Sequence, residues 1–281
     1  MKSILSIDVE DWFNISLPGV EPDVGQWDRI ESRVERNFNR LLDLLAGQGA
    51  RATCFFLGYV GRRFPHLVRR AVAEGHEIAS HGLEHRLVFT QPPEAFAADA
   101  RQARVMLEDI AGTPVLGYRA AAFSINDTTP WFFDKLTEAG YRYDSSVFPA
   151  PHRIGGIRMD TLHPHRRDTP SGPLAEFPIS AVKVMGAPMC FFGGGYLRLF
   201  PYWLIRPMAR RVLAEGRPVV FYVHPREIDP AQPRLPMGGR DRFKTYVNLR
   251  TTEGKLNSIL RDFDVTTFRD YLAGGGRLAD A

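Results

Sequence analysis

The 281-residue sequence predicts an α/β fold built as a single βα barrel, and three observations carry that expectation. Short apolar runs rich in β-formers alternate with longer helical patterns, the order that a mostly parallel sheet with crossover helices requires. About seven such runs are spread over the chain, which suits a closed βα sheet better than an open two-domain one. No Pro/Ser-rich linker or composition shift divides them, so residues 1–281 read as one domain.

Taken in order, the first strand is the N-terminal apolar run that ends in Asp8-Val9-Glu10-Asp11. Ser32 with Glu35 three residues on has the spacing of a capping box, and Val34, Phe38, Leu41, Leu42 and Leu45 then share one helical face. Gly47 and Gly49 close that helix ahead of a strand over 52–57. The same grammar recurs: Pro opens and Gly closes helices over 65–75, 130–140 and 201–216, each followed by a strand, over 76–79, 141–144 and 219–223. Phe96, Ala100, Ala103, Leu107 and Ile110 mark a further amphipathic helix before a strand over 115–118. Residues 149–172, rich in Pro, Gly, His and Arg, are too long for an ordinary connection and read as a loop or hairpin excursion. A second irregular segment over 229–248 precedes a last helix over 252–260.

Composition narrows the function classes. With 44% hydrophobic and 24% charged residues the chain is of ordinary globular type, not disordered or fibrous. Its net charge of +4 comes from scattered Arg and Lys, not from a basic run, which argues against a nucleic-acid partner. Cys54 and Cys190 stand far apart in apolar surroundings and read as buried thiols. No stretch approaches the ~20 apolar residues of a membrane span, and the N-terminal apolar run is too short for a signal segment. The expectation is a cytoplasmic protein, at most peripherally associated with a membrane or export machinery.

The residues able to do chemistry gather where strands stop. His81 and His85, four apart, can present two imidazoles to one metal ion. Asp8, Glu10 and Asp11 follow the first strand, at the end where a βα barrel keeps its catalytic groups. The strand period puts Asp8 and Glu10 on one face and Asp11 on the other, unless the chain turns early. Glu10 is therefore the favoured carboxylate ligand and Asp11 the alternative, and a His/His/carboxylate set suits zinc or another divalent ion with an open position. Arg119 and His224 end two further strands, the histidine just before a proline. Asp144 ends another, where it could orient such a histidine or cap a turn. Gly193-Gly194-Gly195-Tyr196 lacks the lysine and the strand-to-helix context of a nucleotide loop and reads as a close turn at the cleft rim. His66 and His76 are explained by a helix start and strand packing, and His152, His163 and His165 by the long loop.

In this order the motifs resemble the polysaccharide deacetylases of the NodB-homology group, carbohydrate esterase family 4. The acidic first motif is matched at Asp8 to Asp11, the two-histidine motif at His81 and His85, the Arg-x-Pro motif in part at Arg119-Ala120-Ala121, and the last motif at Tyr222-Val223-His224. The phrases SIDVEDWF, GHEIASHGLEHR, YDSSVFP and HPREIDPAQPR resemble the subfamily of exopolysaccharide loci linked to exosortase systems, with its own C-terminal extension over about 193–281. The resemblance implies a distorted (β/α)7 barrel that hydrolyses N-acetyl groups of GlcNAc-type units of a polysaccharide, with zinc or a similar ion. It implies Asp8 as catalytic base, His81 and His85 as ligands, Arg119 as the residue holding the base, His224 as general acid and Asp144 as its tuner. It further implies a backbone oxyanion donor at Ala122 and a substrate-lining place for Tyr196. Two departures stand out: Val9 separates the acids that are adjacent in the family, and Ala121 replaces the motif's proline, a change worth about 0.4–1 kcal/mol of unfolded-state entropy. Two other readings stay open, a small-molecule amidase on the same barrel and a catalytically silent glycan-binding component of an export machine.

Overall fold

A computed structural model of the chain describes residues 2–17, 19–150, 154–157 and 161–280, with residue 280 in its backbone only. The first half alternates strand and helix: β1 (Ser3–Val9), α1 (Val34–Gly47), β2 (Thr53–Phe56), α2 (Gly58–Arg63), α3 (Pro65–Ala73), β3 (Glu77–Ser80), α4 (Pro93–Ala111), β4 (Gly117–Tyr118), α5 (Phe132–Glu138) and β5 (Tyr143–Asp144). Two hairpins follow, β6 (His165–Thr169) with β7 (Gly172–Glu176) and β8 (Ala181–Val184) with β9 (Ala187–Cys190). The chain then runs through α6 (Gly194–Leu199), α7 (Tyr202–Ala214), β10 (Val220–Val223), α8 (Gly239–Tyr246), α9 (Thr252–Asp262), β11 (Val265–Thr266), α10 (Phe268–Ala273) and β12 (Ala279–Asp280).

Seven strands lie side by side in parallel in the order β10-β1-β2-β3-β4-β5-β7, with β6 and β12 continuing beyond β7. This is the distorted (β/α)7 barrel expected. On the far side of β10 the ladder is carried by single contacts instead of a strand: Gly193 bridges Tyr222, and the Val220 N–H donates to Ser180 Oγ at 2.9 Å.

The period-2 alternation of β1 sorts its residues into two cores. Leu5, Ile7 and Val9 face the helical layer with Phe38, Leu41, Phe56 and Leu67, whereas Ile4 joins Phe55, Tyr143, Phe177, Tyr222 and Phe268 inside the barrel. Ser6 and Asp8 point inward above Ile4, so polar side chains enter the barrel toward the C-terminal strand ends. Cys54 and Cys190 are free and buried. No helix among the described residues is long and apolar enough to cross a membrane.

Two local expectations are corrected. Ser32 does not cap α1 through a box with Glu35; its hydroxyl and the Arg33 N–H both donate to Asp11, so a carboxylate from the first motif does the capping. The segment over 229–248 is not irregular throughout, since it contains α8. Of the long excursion, His165 opens β6, and His152 lies outside the described residues.

Candidate active site

Asp8 is the last inward residue of β1, and its carboxylate Oδ1 accepts from Arg119 Nη1 at 2.6 Å. Arg119 is fully buried; its other donors reach Ser6 Oγ, Ser145 Oγ and the Ser145 carbonyl, and its guanidinium lies 4.2 Å over the Phe55 ring. A guanidinium locked in this way has no alternative position, so Asp8 is held in one orientation with Oδ2 directed to the cleft side, 3.7 Å from His224 Nε2.

Glu10 stands just past β1. Its Oε2 lies 2.7 Å from His85 Nε2 and 3.7 Å from His81 Nε2, and the ligand atoms of the three residues all fall within 4.8 Å of one another. His81 Nδ1 donates to the Arg119 carbonyl at 2.8 Å, which fixes the tautomer that leaves Nε2 bare toward Glu10. The loop between the histidines turns through Gly82 at φ 77° and His85 at φ 56°. Burial would push the Glu10 carboxyl up, but the imidazoles of His85, His224 and His81 outweigh it and hold it well below the usual range. Two imidazole nitrogens and one carboxylate oxygen converging on a point, with an outer hydrogen bond orienting one imidazole, form a donor set that fits a divalent ion of the zinc type. Asp11 lies on the other side: its carboxylate accepts from the N–H groups of Trp12 and Arg33 and from Ser32, so it is spent on the loop and the start of α1.

His224 stands just past β10 with Nε2 near both Asp8 Oδ2 and Glu10 Oε1, at 3.7 and 3.8 Å. The structure does not bring Asp144 to this imidazole. His224 Nδ1 instead donates to Glu227 Oε2 at 3.1 Å, and the same oxygen accepts the His224 backbone N–H at 3.0 Å. Burial acts to lower the His224 pKa, but the carboxylates of Glu227, Glu10 and Asp8 win and raise it above its ordinary value. Glu227 is in turn bonded by Arg198 at 2.7 Å; against its complete burial, His224 and Arg198 keep it ionised. Asp144 serves the opposite wall. Its Oδ1 accepts from Ser146 Oγ at 2.6 Å, and that hydroxyl accepts the Ala120 N–H at 2.8 Å, so Asp144 braces the loop that carries Arg119. Its carboxyl neighbour is Glu176, also fully buried. Burial raises both carboxyls, Glu176 the more strongly because Asp144 lies beside it.

Ala122 lines the same cleft in a tight turn at φ 50° and ψ 25°, and Phe123 follows at φ 51°. Two successive non-glycine residues in the left-handed region are strained, and such strain persists where the surroundings force it, typically beside a site. Tyr196 lines the opposite side and stacks on Phe148, centroids 6.2 Å apart. Two of the three glycines before it are explained: a Cβ on Gly193 would meet the Tyr222 ring at 2.0 Å, and Gly194 sits at φ 53°. The cleft holds about 380 Å³ and has α8 as its outer wall.

Glu227 and Arg198 are the residues that sequence reasoning missed. Glu227 had a readable signal, since an acid three residues after a strand-ending His has capping-box spacing. Arg198 had none, because its partners are 29 to 49 residues away.

A buried acid locked to an arginine, two histidines and a glutamate able to hold a metal, and an acid-paired histidine at the rim define a hydrolase-type centre at the C-terminal end of a parallel barrel. Residues 24–143 match the polysaccharide deacetylase family, and residues 145–273 match a domain of unknown function, DUF3473. Residues 24–143 are thus of the polysaccharide deacetylase type, the NodB, carbohydrate esterase family 4 domain. It is 33% identical over 103 residues to a peptidoglycan-N-acetylglucosamine deacetylase of Bacillus cereus, covering 37% of this chain and 46% of that protein. It is 44% identical over 45 residues to a chitooligosaccharide deacetylase of Sinorhizobium fredii, covering 16% and 21%. The chain thus spans less than half the length of these curated relatives. Among solved structures, a protein described as a polysaccharide deacetylase from Mycobacterium smegmatis aligns with a TM-score of 0.63 at 22% identity over 99% of this chain and 93% of that one. An allantoinase aligns with a TM-score of 0.62 at 17% identity over 98% and 91%. Both likenesses are to the fold.

Proposed function

We propose that the protein is a metal-dependent hydrolase that removes N-acetyl groups from GlcNAc-type units of an exopolysaccharide or its precursor. The observation that carries the reading is the convergence of Glu10, His81 and His85 within 4.8 Å, with Asp8 and His224 beside them. The family match over residues 24–143 and the names of the curated relatives support the same chemistry.

A divalent ion held by Glu10, His81 and His85 would polarise the acetyl carbonyl and make water nucleophilic near neutral pH. Asp8, oriented by Arg119, takes the proton from the attacking water as its oxygen bonds to the carbonyl carbon. The Ala122 backbone N–H is the donor assigned to the developing oxyanion. As the C–N bond breaks, His224 Nε2 gives its proton to the leaving amine, and Glu227 on Nδ1 stabilises the imidazolium beforehand. Tyr196, stacked on the buried Phe148, lines the cleft in which the sugar would lie. Within residues 193–281, α8 builds the outer cleft wall in this reading.

The deciding experiment measures metal content and acetate release from N-acetylglucosamine oligomers for the wild type beside His81→Ala. About one ion per chain, lost in the variant together with acetate release, is the expected outcome for a three-ligand catalytic site. Activity on a small amide with no bound metal would move the small-molecule amidase to the front, and glycan binding without acetate would favour the silent binder.

A further inference from the structure

The wall helix α8 is eight residues long and buries none of them, yet Asp241, Phe243, Lys244 and Thr245 line the cleft. A short helix without a buried apolar face does not hold its place by packing. Its C-terminal carbonyls explain how it is held: Arg198 donates through Nη2 to the Lys244 carbonyl at 3.0 Å and through Nη1 to the Thr245 and Val247 carbonyls at 2.9 and 3.0 Å. These carbonyls lack partners within the helix and carry partial negative charge, so one guanidinium meets both needs. Tyr246 adds an outer tether by accepting the Leu235 N–H at 2.9 Å.

The remaining donor of that guanidinium, Nε, goes to Glu227 Oε1 at 2.7 Å, and Glu227 Oε2 holds His224. Arg198 and Glu227 are 2% and 0% exposed, so water does not substitute for either bond. The arginine is itself anchored, its carbonyl accepting from Lys255 Nζ at 2.7 Å and Asn248 Nδ2 at 3.2 Å. We infer that Arg198 is a positioning residue that ties the cleft wall α8 to the imidazole of His224. One side chain then sets both the surface on which a substrate is pressed and the direction in which the proton is delivered. Only a planar fork can reach a carboxylate on one edge and three carbonyls on the other; lysine keeps the charge and loses the span.

The kinetic consequence rests on the deacetylase reading, but the mechanical link does not, so the first test is hydrogen exchange. Glu227→Gln keeps the shape of the side chain and removes the charge from its bond to Arg198. Amides of 239–247 are expected to exchange about ten- to hundredfold faster, the loss of a charge-assisted bond, although Glu227 hydrogen-bonds only Arg198 and His224 among the described residues. Unchanged exchange in α8 overturns the link whether or not the enzyme is active. With acetate release as readout, Phe243→Ala raises KM alone, Glu227→Gln lowers kcat alone, and Arg198→Lys changes both by about tenfold. The Arg198→Lys, Glu227→Gln double variant then loses less kcat than the product of the single losses; losses that multiply independently overturn the inference. If the wild type releases no acetate from any N-acetylated glycan, the proposed function fails while the exchange experiment still decides the link.

Discussion

Asp8, Glu10 and Asp11 lie within four residues and meet three fates, and local geometry accounts for each. The strand period aims Asp8 inward to Arg119, the first residue beyond the strand carries Glu10 to the histidines, and the next turn sends Asp11 back to the N-terminus of α1. Asp8→Asn should therefore keep the metal and lose about 10²–10⁴-fold in rate, the usual share of a general base; metal analysis beside single-turnover acetate release checks it, and full activity would refute the assignment. Glu10→Gln and Asp11→Asn separate the two candidate ligands. The first should lose metal with little change in stability, and the second should keep metal and lose about 0.5–2 kcal/mol, as for a helix cap, read by urea unfolding with metal removed. The same-face argument was enough to favour Glu10 from sequence. The partner of His224 was signalled only by the capping-box spacing of Glu227, which does not by itself exclude Asp144; the three-dimensional course of residues 224–227 selects between them.

At the level of elements, helices bounded by Pro and Gly were legible because their stop signals are local. Helix α3 runs from Pro65 to Ala73 and α7 from Tyr202 to Ala214, close to the expected 65–75 and 201–216. Helix α8 was invisible for the converse reason: it has no apolar stripe, and its fixing cation comes from a different segment. The predicted strand over 141–144 shrank to Tyr143–Asp144, since Tyr141 leaves the ladder to donate its hydroxyl to the Ala100 carbonyl of α4 at 2.8 Å. Helix α4 also carries a destabilising element. Asp99 props the histidine loop by accepting the Leu83 N–H, and burial outweighs Arg86 and that bond to raise its pKa to about 6. Because the folded pKa exceeds the unfolded value of 3.8, the folded state binds more protons between them, and stability falls as pH rises from about 4 to 6. The gap of about two units caps the cost at about 3 kcal/mol, and partial exposure brings the expectation to about 1–2 kcal/mol. Asp99→Asn keeps the acceptor for Leu83, so it should raise stability by that amount at pH 7 and by nothing at pH 4. Urea midpoints at the two values test this, and an equal gain at both would point to some cause other than ionisation.

Across the whole molecule, the floor of the active centre comes from the far end of the chain. Phe268, at the start of α10, is fully buried, stacks on Tyr143 at 5.2 Å, and meets Phe177 at 4.9 Å and Phe55 at 5.8 Å. Phe55 is the ring on which the Arg119 guanidinium rests. Thr53 and Glu77 hold the start of α10 by accepting the Phe268 and Arg269 N–H groups, each at 3.0 Å, so the first half of the barrel grips the last helix directly. No local pattern announces such a plug, since its partners are some 90 to 215 residues away in sequence, and the period of a six-residue helix says nothing about where its end inserts. This arrangement makes the two halves one cooperative unit, and residues past 264 matter to a site whose reacting groups all precede residue 228. Phe268→Ala should cost about 3–5 kcal/mol by leaving a cavity among rings that cannot collapse around it. For a chain of this size that is a fall in the thermal midpoint of roughly 10 °C. Because the cavity opens beneath Phe55, and so beneath Arg119 and Asp8, the surviving folded protein should lose kcat with metal content and KM unchanged. Calorimetry with steady-state kinetics on that one variant separates the outcomes. A small stability loss with full kcat would mean that α10 merely rests against the barrel, and a large loss with full kcat would mean that Phe55 alone keeps the arginine in place.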